Sequence, residues 1–135
     1  MIFKISTFLA SGILALATLQ AQTTTRVKQI VLSDSSRLVE IYKDLHQNTE
    51  LGFMEVRTAA IVAKELKALG YEVKTGIGKT GVVGVLKNGN GPVVMYRSDM
   101  DCNSVKETTG LPYASNKFMK KDDGSEVAVM HACGH

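Results

Sequence analysis

The chain has 135 residues, of which 44% are hydrophobic and 21% are charged, an ordinary composition for a globular protein. Its two prolines and twelve glycines exclude collagen-like and proline-rich classes. The 16 lysines and arginines exceed the 13 aspartates and glutamates by three, but they are scattered and form no patch that would follow a phosphate backbone. Nucleic acid is therefore not an expected partner.

The first 21 residues have the layout of a secretory signal peptide. Lys4 supplies a positive charge, Ile5–Leu19 is an uncharged and mostly apolar run, and the chain turns polar at Gln20. The run is shorter than the roughly 20 residues that cross a bilayer, which favours export with cleavage over a retained membrane anchor. We expect a signal peptide over 1–21, cleaved after Ala21 or alternatively after Ala17, and a periplasmic or secreted mature chain over 22–135, without stable membrane association after cleavage.

Two amphipathic helices are predicted after this segment. Apolar residues recur at three-and-four spacing over Val27–Leu45, although Ser33–Ser36 leaves open whether this is one helix or two. The same spacing over Ala59–Leu69 predicts the second helix. Gly70 is placed to end that helix in the left-handed conformation.

Four strands and several turns are predicted in the rest of the chain. The predicted strands are Tyr71–Thr75, Val82–Lys87, Pro92–Ser98 and Glu126–Met130. Gly76–Gly81 lacks the following helix that a phosphate-binding loop needs, so it is predicted to be a structural turn. Asn88–Gly91 predicts a hairpin connection to a strand buried on both faces, and residues 102–125 predict a long, mostly irregular connection. Helices and strands together predict an α/β layered domain.

An acidic pair follows the predicted strand over 92–98. If the backbone stays extended, Asp99 and Asp101 point the same way, and two like charges need a cation, an arginine or a protonated partner. The alternative is a solvated turn in which an aspartate caps the next segment.

The last residues carry candidate metal ligands. His131, Cys133 and His135 place three ligands suited to a transition metal within five residues. The structural alternative is a pair of ordinary loop histidines with Cys133 either buried or joined to Cys102 in a disulfide, which an exported chain with two cysteines allows. The residues alone leave both alternatives open.

Five blocks of the sequence resemble, in order, the amidohydrolase group of co-catalytic metallopeptidases, which includes hippurate hydrolases, N-acyl-amino-acid amidohydrolases and indole-acetyl-amino-acid hydrolases. The blocks are Leu45–Glu55, Gly78–Gly84, Arg97–Asp101, Gly110–Ser115 and Met130–His135. The resemblance implies an αβα layered, zinc-peptidase-like catalytic domain with a mixed sheet, of which this chain is the amino-terminal part. It also implies metal-dependent hydrolysis of the amide bond of N-acyl amino acids or peptides.

The resemblance further implies that Cys133 and His135 are ligands in a centre of two divalent ions, which would be Zn, Mn or Co. Asp99 and Asp101 match the group's Asp-Met-Asp and are implied to support the centre. The general base and the remaining ligands lie later in the group's chains, so no catalytic residue is assigned and the chain alone is expected to be inactive. A homodimer remains possible for the full-length enzyme.

The sequence departs from the group's pattern at two places. Asn48–Glu50 has threonine where the group has proline, and Cys102–Ser104 reads Cys-Asn-Ser where the group has Ala-Leu-Pro. The lost prolines loosen two turns. Oxidation could link Cys102 to Cys133 and displace a metal from the centre. A separate, competing interpretation is a small non-catalytic exported module in which Cys102 and Cys133 form a disulfide.

Overall fold

The computed structural model describes residues 3–133, with side chains from residue 22 onward. Two helices precede four strands: α1 (Phe3–Gln47), α2 (Val56–Ala68), β1 (Glu72–Ile77), β2 (Gly81–Val85), β3 (Phe118–Lys120) and β4 (Glu126–Ala128). The chain divides into two compact units, Met1–Ile41 and Tyr42–His135.

Helix α1 is continuous, which resolves the question that its serine cluster left open. The hydroxyls of Ser33 and Ser35 donate to the carbonyls of Ile30 and Leu32, three residues earlier, at 2.8 Å. The serines are thus satisfied within the helix and do not break it. The expected cleavage boundary after residue 21 lies inside α1 and stays a prediction. Over residues 3–133, no helix combines the length and the apolar character that crossing a membrane requires.

Helix α2 is amphipathic, as predicted, and its amino terminus is held by a residue outside the helix. The buried Glu50 carboxylate accepts hydrogen bonds from the backbone amides of Arg57 at 3.1 Å and Thr58 at 2.7 Å. These are amides that a helix cannot satisfy internally. The helix ends at Ala68, and Gly70 follows with φ +84°, which confirms the predicted left-handed stop.

Strands β1 and β2 form an antiparallel hairpin against α2. The register runs from Glu72 opposite Val85 to Ile77 opposite Gly81. The glycine-rich stretch between them is therefore a structural turn, as predicted. At Gly84 an added Cβ would come within 3.0 Å of the Leu66 side chain, so the hairpin packs closely on the helix.

The predicted hairpin to a buried strand over 92–98 is wrong in this structure. Val93–Tyr96 is 86 to 96% exposed and belongs to neither sheet of the described chain. A segment that is apolar on both faces needs strands on both edges and a layer over each face. Residues 3–133 supply two separate two-stranded antiparallel sheets, which leave no such place.

The connection over 102–125 contains a strand that the sequence pattern missed. β3 pairs with β4 from Phe118 opposite Ala128 to Lys120 opposite Glu126. The two strands are joined by a turn that includes Gly124 at φ +85°. Val129, directly after β4, is 1% exposed and forms a small core with Leu51 and Cys102.

Candidate metal centre

Three segments that are distant in sequence meet beside this core. The Cys102 amide donates to the Glu50 carbonyl at 2.9 Å, and Asn103 and Met130 exchange two backbone hydrogen bonds at 2.9 and 3.1 Å. Because the Asn103–Met130 bridge is antiparallel, the residues before Asn103 lie near the residues after Met130. The fold thus brings the acidic pair to the segment over 131–133.

The two aspartates have different surroundings. Asp99 forms an ion pair with Arg97 at 2.7 Å, so an arginine is one partner of the acidic pair, as one of the sequence alternatives required. Asp101 is exposed, and its Oδ2 lies near Gly52, where an added Cβ would be 3.8 Å away. Asp101 is therefore the more open of the two carboxylates at this site.

The two cysteines are both free thiols. Cys102 is buried in the core, and this burial raises the pKa of its thiol. Cys133 is exposed, and its thiol donates to Asn103 Oδ1 at 3.0 Å. The Cys102–Cys133 disulfide of the competing interpretation is not formed in this structure.

A buried imidazole and carboxylate lie beside the same segment. His46 Nε2 is 3.0 and 3.1 Å from the two carboxylate oxygens of Glu107. Burial by itself would raise the pKa of Glu107, but hydrogen bonds from the Thr109 hydroxyl, the Ser115 amide and His46 outweigh it and lower that pKa. Sequence reasoning missed this pair, since 61 residues separate its members, although His46 belongs to the first resemblance block.

His131 is half-buried next to this pair. Its ring centroid lies 6.4 Å from that of His46. Burial, followed by the neighbouring His46, lowers the pKa of His131, while the Asp101 charge and backbone act in the opposite direction. The lowered pKa favours the neutral imidazole, which is the form that binds metals.

The donor chemistry at this site fits a transition metal in part. Cys133 is a soft ligand that is exposed and not consumed by a disulfide. His135, the second predicted ligand, lies outside the described residues. In the described part of the chain, no three His, Cys, Asp or Glu side chains converge to hold an ion. The assignment of Cys133 and His135 as ligands therefore stays a prediction.

Comparison with known proteins finds relatives of one kind. The chain is 48% identical over 106 residues to hippurate hydrolase of Campylobacter jejuni, covering 78% of this chain and 25% of that protein. It is 39% identical over 100 residues to N-acetyl-L-cysteine deacetylase of Bacillus subtilis, covering 73% of this chain and 22% of that protein. The chain thus spans about a quarter of the length of the curated relatives it matches. No protein-family model matches it.

A solved structure gives the same result for the fold. The crystal structure of the Bacillus subtilis YXEP protein, described as a dinuclear metal-binding peptidase of the M20 family, matches with a TM-score of 0.60 and 34% identity. The match covers 74% of this chain and 26% of that one. The α/β fold class predicted from the sequence is thereby confirmed.

These similarities relate the chain to the M20 family, to which the matched peptidase belongs. The curated relatives confirm the resemblance to the amidohydrolase group that the five sequence blocks carry. The partial coverage fits the expectation that the chain corresponds to the amino-terminal part of such a protein.

Proposed function

We propose that the protein containing this chain hydrolyses the amide bond of N-acyl amino acids or small peptides with the help of two divalent metal ions. The names of its relatives, hippurate hydrolase and N-acetyl-L-cysteine deacetylase, support this substrate class. The dinuclear metal-binding peptidase that shares its fold supports two ions, which we propose to be Zn, Mn or Co.

The observation that carries the proposal is the antiparallel pairing of Asn103 with Met130. This pairing brings Asp101 beside His131 and Asn103 beside Cys133, and Cys133 is an exposed free thiol. In the proposal Cys133 and His135 hold a metal ion, and Asp101 supports the centre. Bound metal would polarise the substrate carbonyl and lower the pKa of an attacking water.

The chain by itself is proposed to bind metal but not to turn over substrate. The resemblance places the glutamate that serves as general base among residues that follow this chain's counterpart in the group. Cys133 would contribute as a ligand that has lost its proton, and proton transfer to the leaving amine would need that later glutamate.

The test compares Cys133→Ser with Cys102→Ser in the natural protein that contains the chain. Bound metal would be counted in each purified protein, and amino-acid release from hippurate and N-acetyl amino acids would be measured. We expect Cys133→Ser to reduce both at least about tenfold, because it removes a ligand. Cys102→Ser is the matched control and should keep both. Equal metal content and activity in all three proteins would contradict the proposal.

We also propose that residues 1–21 direct export. The support for export is the apolar run over Ile5–Leu19 behind Lys4. Fusing residues 1–25 to a reporter that is active only outside the cytoplasm tests this proposal, and an inactive reporter would contradict it.

A further inference from the structure

The connection that follows β2 contains two asparagine–glycine pairs in succession, Asn88–Gly89 and Asn90–Gly91. All four residues are exposed. Within the described chain, none of the four donates or accepts a backbone hydrogen bond. A Cβ added at either glycine would meet nothing within 4 Å, so no neighbouring group covers these positions. The backbone here can change conformation without giving up a contact.

We propose that Asn88 and Asn90 are sites of spontaneous deamidation, at which the side-chain amide loses ammonia and becomes an acid. Asparagine is among the thermolabile residues of proteins. Glycine has no Cβ, so its backbone nitrogen can reach the side chain of the preceding asparagine without obstruction. The reaction requires neither a metal nor an enzyme, and it is independent of the proposed hydrolysis.

The reaction has two steps, and water is its one co-reactant. The glycine nitrogen loses its proton and attacks the side-chain carbonyl carbon of the asparagine. The carbon–nitrogen bond of the amide breaks, and its nitrogen leaves as ammonia with a proton equivalent to the one that glycine lost. Water then opens the resulting succinimide ring. Attack at the side-chain carbonyl gives aspartate, and attack at the backbone carbonyl gives isoaspartate, in which the chain continues through the side chain.

Other asparagines of the chain lack both features of this loop. Asn48 donates its side-chain N–H groups to the carbonyl of Asp44 at 3.0 Å and to its carboxylate at 3.2 Å, and the next residue is the buried Thr49. Asn103 accepts two hydrogen bonds through its side-chain oxygen, and the next residue is Ser104. Their side chains are held in place, and the following nitrogen is shielded by a side chain.

The modification would change the surface next to the most exposed apolar segment of the described chain. Each event replaces a neutral amide with a carboxylate, so conversion of both sites lowers the formal net charge by two, from +3 to +1. The new charges would lie directly before Pro92 and Val93–Tyr96. Charge beside an apolar run with open backbone groups opposes its pairing with another chain.

Peptide mapping of the purified chain after incubation in mildly alkaline buffer tests the proposal. Trypsin, which cleaves after Lys87 and Arg97, releases residues 88–97 as one peptide that holds both reactive asparagines. The other asparagines fall on three further peptides: Asn48, Asn103 and Asn116. Each conversion replaces an amide NH₂ with a hydroxyl and raises the mass of its peptide by about one dalton. A sample digested before incubation corrects for conversion during digestion.

We expect the peptide over 88–97 to gain this mass at least about tenfold faster than the other three. It should also become a substrate for an enzyme that methylates isoaspartate. The rate should fall in mildly acidic buffer, because the glycine nitrogen must lose its proton before it attacks. Equal rates for all four peptides, or an unchanged mass over 88–97, would overturn the inference.

The variant Gly91→Ala separates the role of glycine from the exposure of the asparagine. Alanine fits at this position, since its Cβ meets nothing and the backbone is outside the left-handed region. We expect Asn90 to react about tenfold more slowly in this variant while Asn88 keeps its rate, and fragmentation of the peptide distinguishes the two. If Asn90 reacts as fast before alanine as before glycine, the inference is wrong.

Discussion

At the scale of single residues, the most constrained side chain of the site is Glu107. Its carboxylate is fully buried, with 0% of the side chain exposed. It accepts hydrogen bonds from the Ser115 amide at 2.6 Å and the Thr109 hydroxyl at 2.5 Å, in addition to its contact with His46. Ser115 in turn donates to the Val129 carbonyl at 2.6 Å, which joins this network to the end of β4. A buried charge is tolerated only with partners of this kind.

We therefore expect Glu107→Gln to lower the free energy of unfolding by about 2 kcal/mol. The amide keeps the shape but removes the charge, and one of its two acceptors becomes a donor facing other donors. Urea unfolding at neutral pH measures the loss. Glu126→Gln, at an exposed position on β4, is the control and should change stability by less than about 0.5 kcal/mol. Equal losses in the two variants would contradict a special role for Glu107.

The same variant has a pH signature. The hydrogen bonds lower the pKa of Glu107 in the folded chain below its ordinary value of 4.5. Just below pH 4.5 the Glu107 carboxylate is therefore protonated in the unfolded chain but still ionised in the folded chain. Stability from this group is complete above pH 4.5 and is lost as the pH falls through the lower folded pKa. The difference in stability between the parent chain and Glu107→Gln should shrink over that range. A difference independent of pH would show that the ionised form is not what stabilises the site.

At the scale of elements, the β1–β2 hairpin depends on one glycine. A Cβ added at Gly81 would lie 2.5 Å from the Ile77 carbonyl oxygen, which is backbone and cannot rotate away. Thr80, just before it, donates to the buried Glu55 carboxylate at 2.5 Å and holds the turn against the start of α2. The hairpin turn therefore has little freedom to absorb an added methyl group.

We expect Gly81→Ala to destabilise the chain by about 1–3 kcal/mol, the usual cost of forcing a close contact in a packed region. Gly91→Ala is the matched control, because an added Cβ there meets nothing within 4 Å. Denaturant unfolding of both variants measures the difference. If the two alanines have the same effect, the close contact at Ile77 is not limiting.

Elements set by local pattern were predictable, and elements set by distant partners were not. The α2 helix and its Gly70 stop followed from spacing and from one backbone conformation. β3 was not predicted because three residues are too few to show the alternation of a strand. It is recognisable as a strand through its pairing with β4. The strand expected over 92–98 did not form for a related reason. An apolar pattern indicates that a strand needs neighbouring strands, but whether those strands are present depends on the rest of the chain.

The same distinction between local pattern and distant partners applies to the residues of the site. Cys133 was predicted from residue types at close spacing, and its exposure as a free thiol agrees with that chemistry. Asn103 and Glu107 were not predicted as part of the site, because their side-chain partners Cys133 and His46 are 30 and 61 residues away. The contact of Asn103 with Cys133 depends on the antiparallel bridge between Asn103 and Met130, which no local pattern encodes.

At the scale of the whole molecule, the most exposed apolar run among the described side chains is the segment Val93–Tyr96. Its four side chains are 86 to 96% exposed, and its backbone makes no hydrogen bond to the rest of the described chain. Val85 and Leu86, shortly before it, are each half exposed. An uncharged, β-prone run with open backbone groups is a template for pairing with another chain.

We expect the chain to self-associate through this segment and Val94→Lys to weaken that association about tenfold or more. Burying one valine contributes about 1.5–3 kcal/mol, and a lysine at the same place removes this gain and adds charge repulsion between copies. Sedimentation velocity over a range of concentrations measures the change. Asn90→Lys adds the same charge to an exposed residue outside the segment and should leave association as it was. If both lysines weaken association equally, net charge controls it, and Val93–Tyr96 is not the contact.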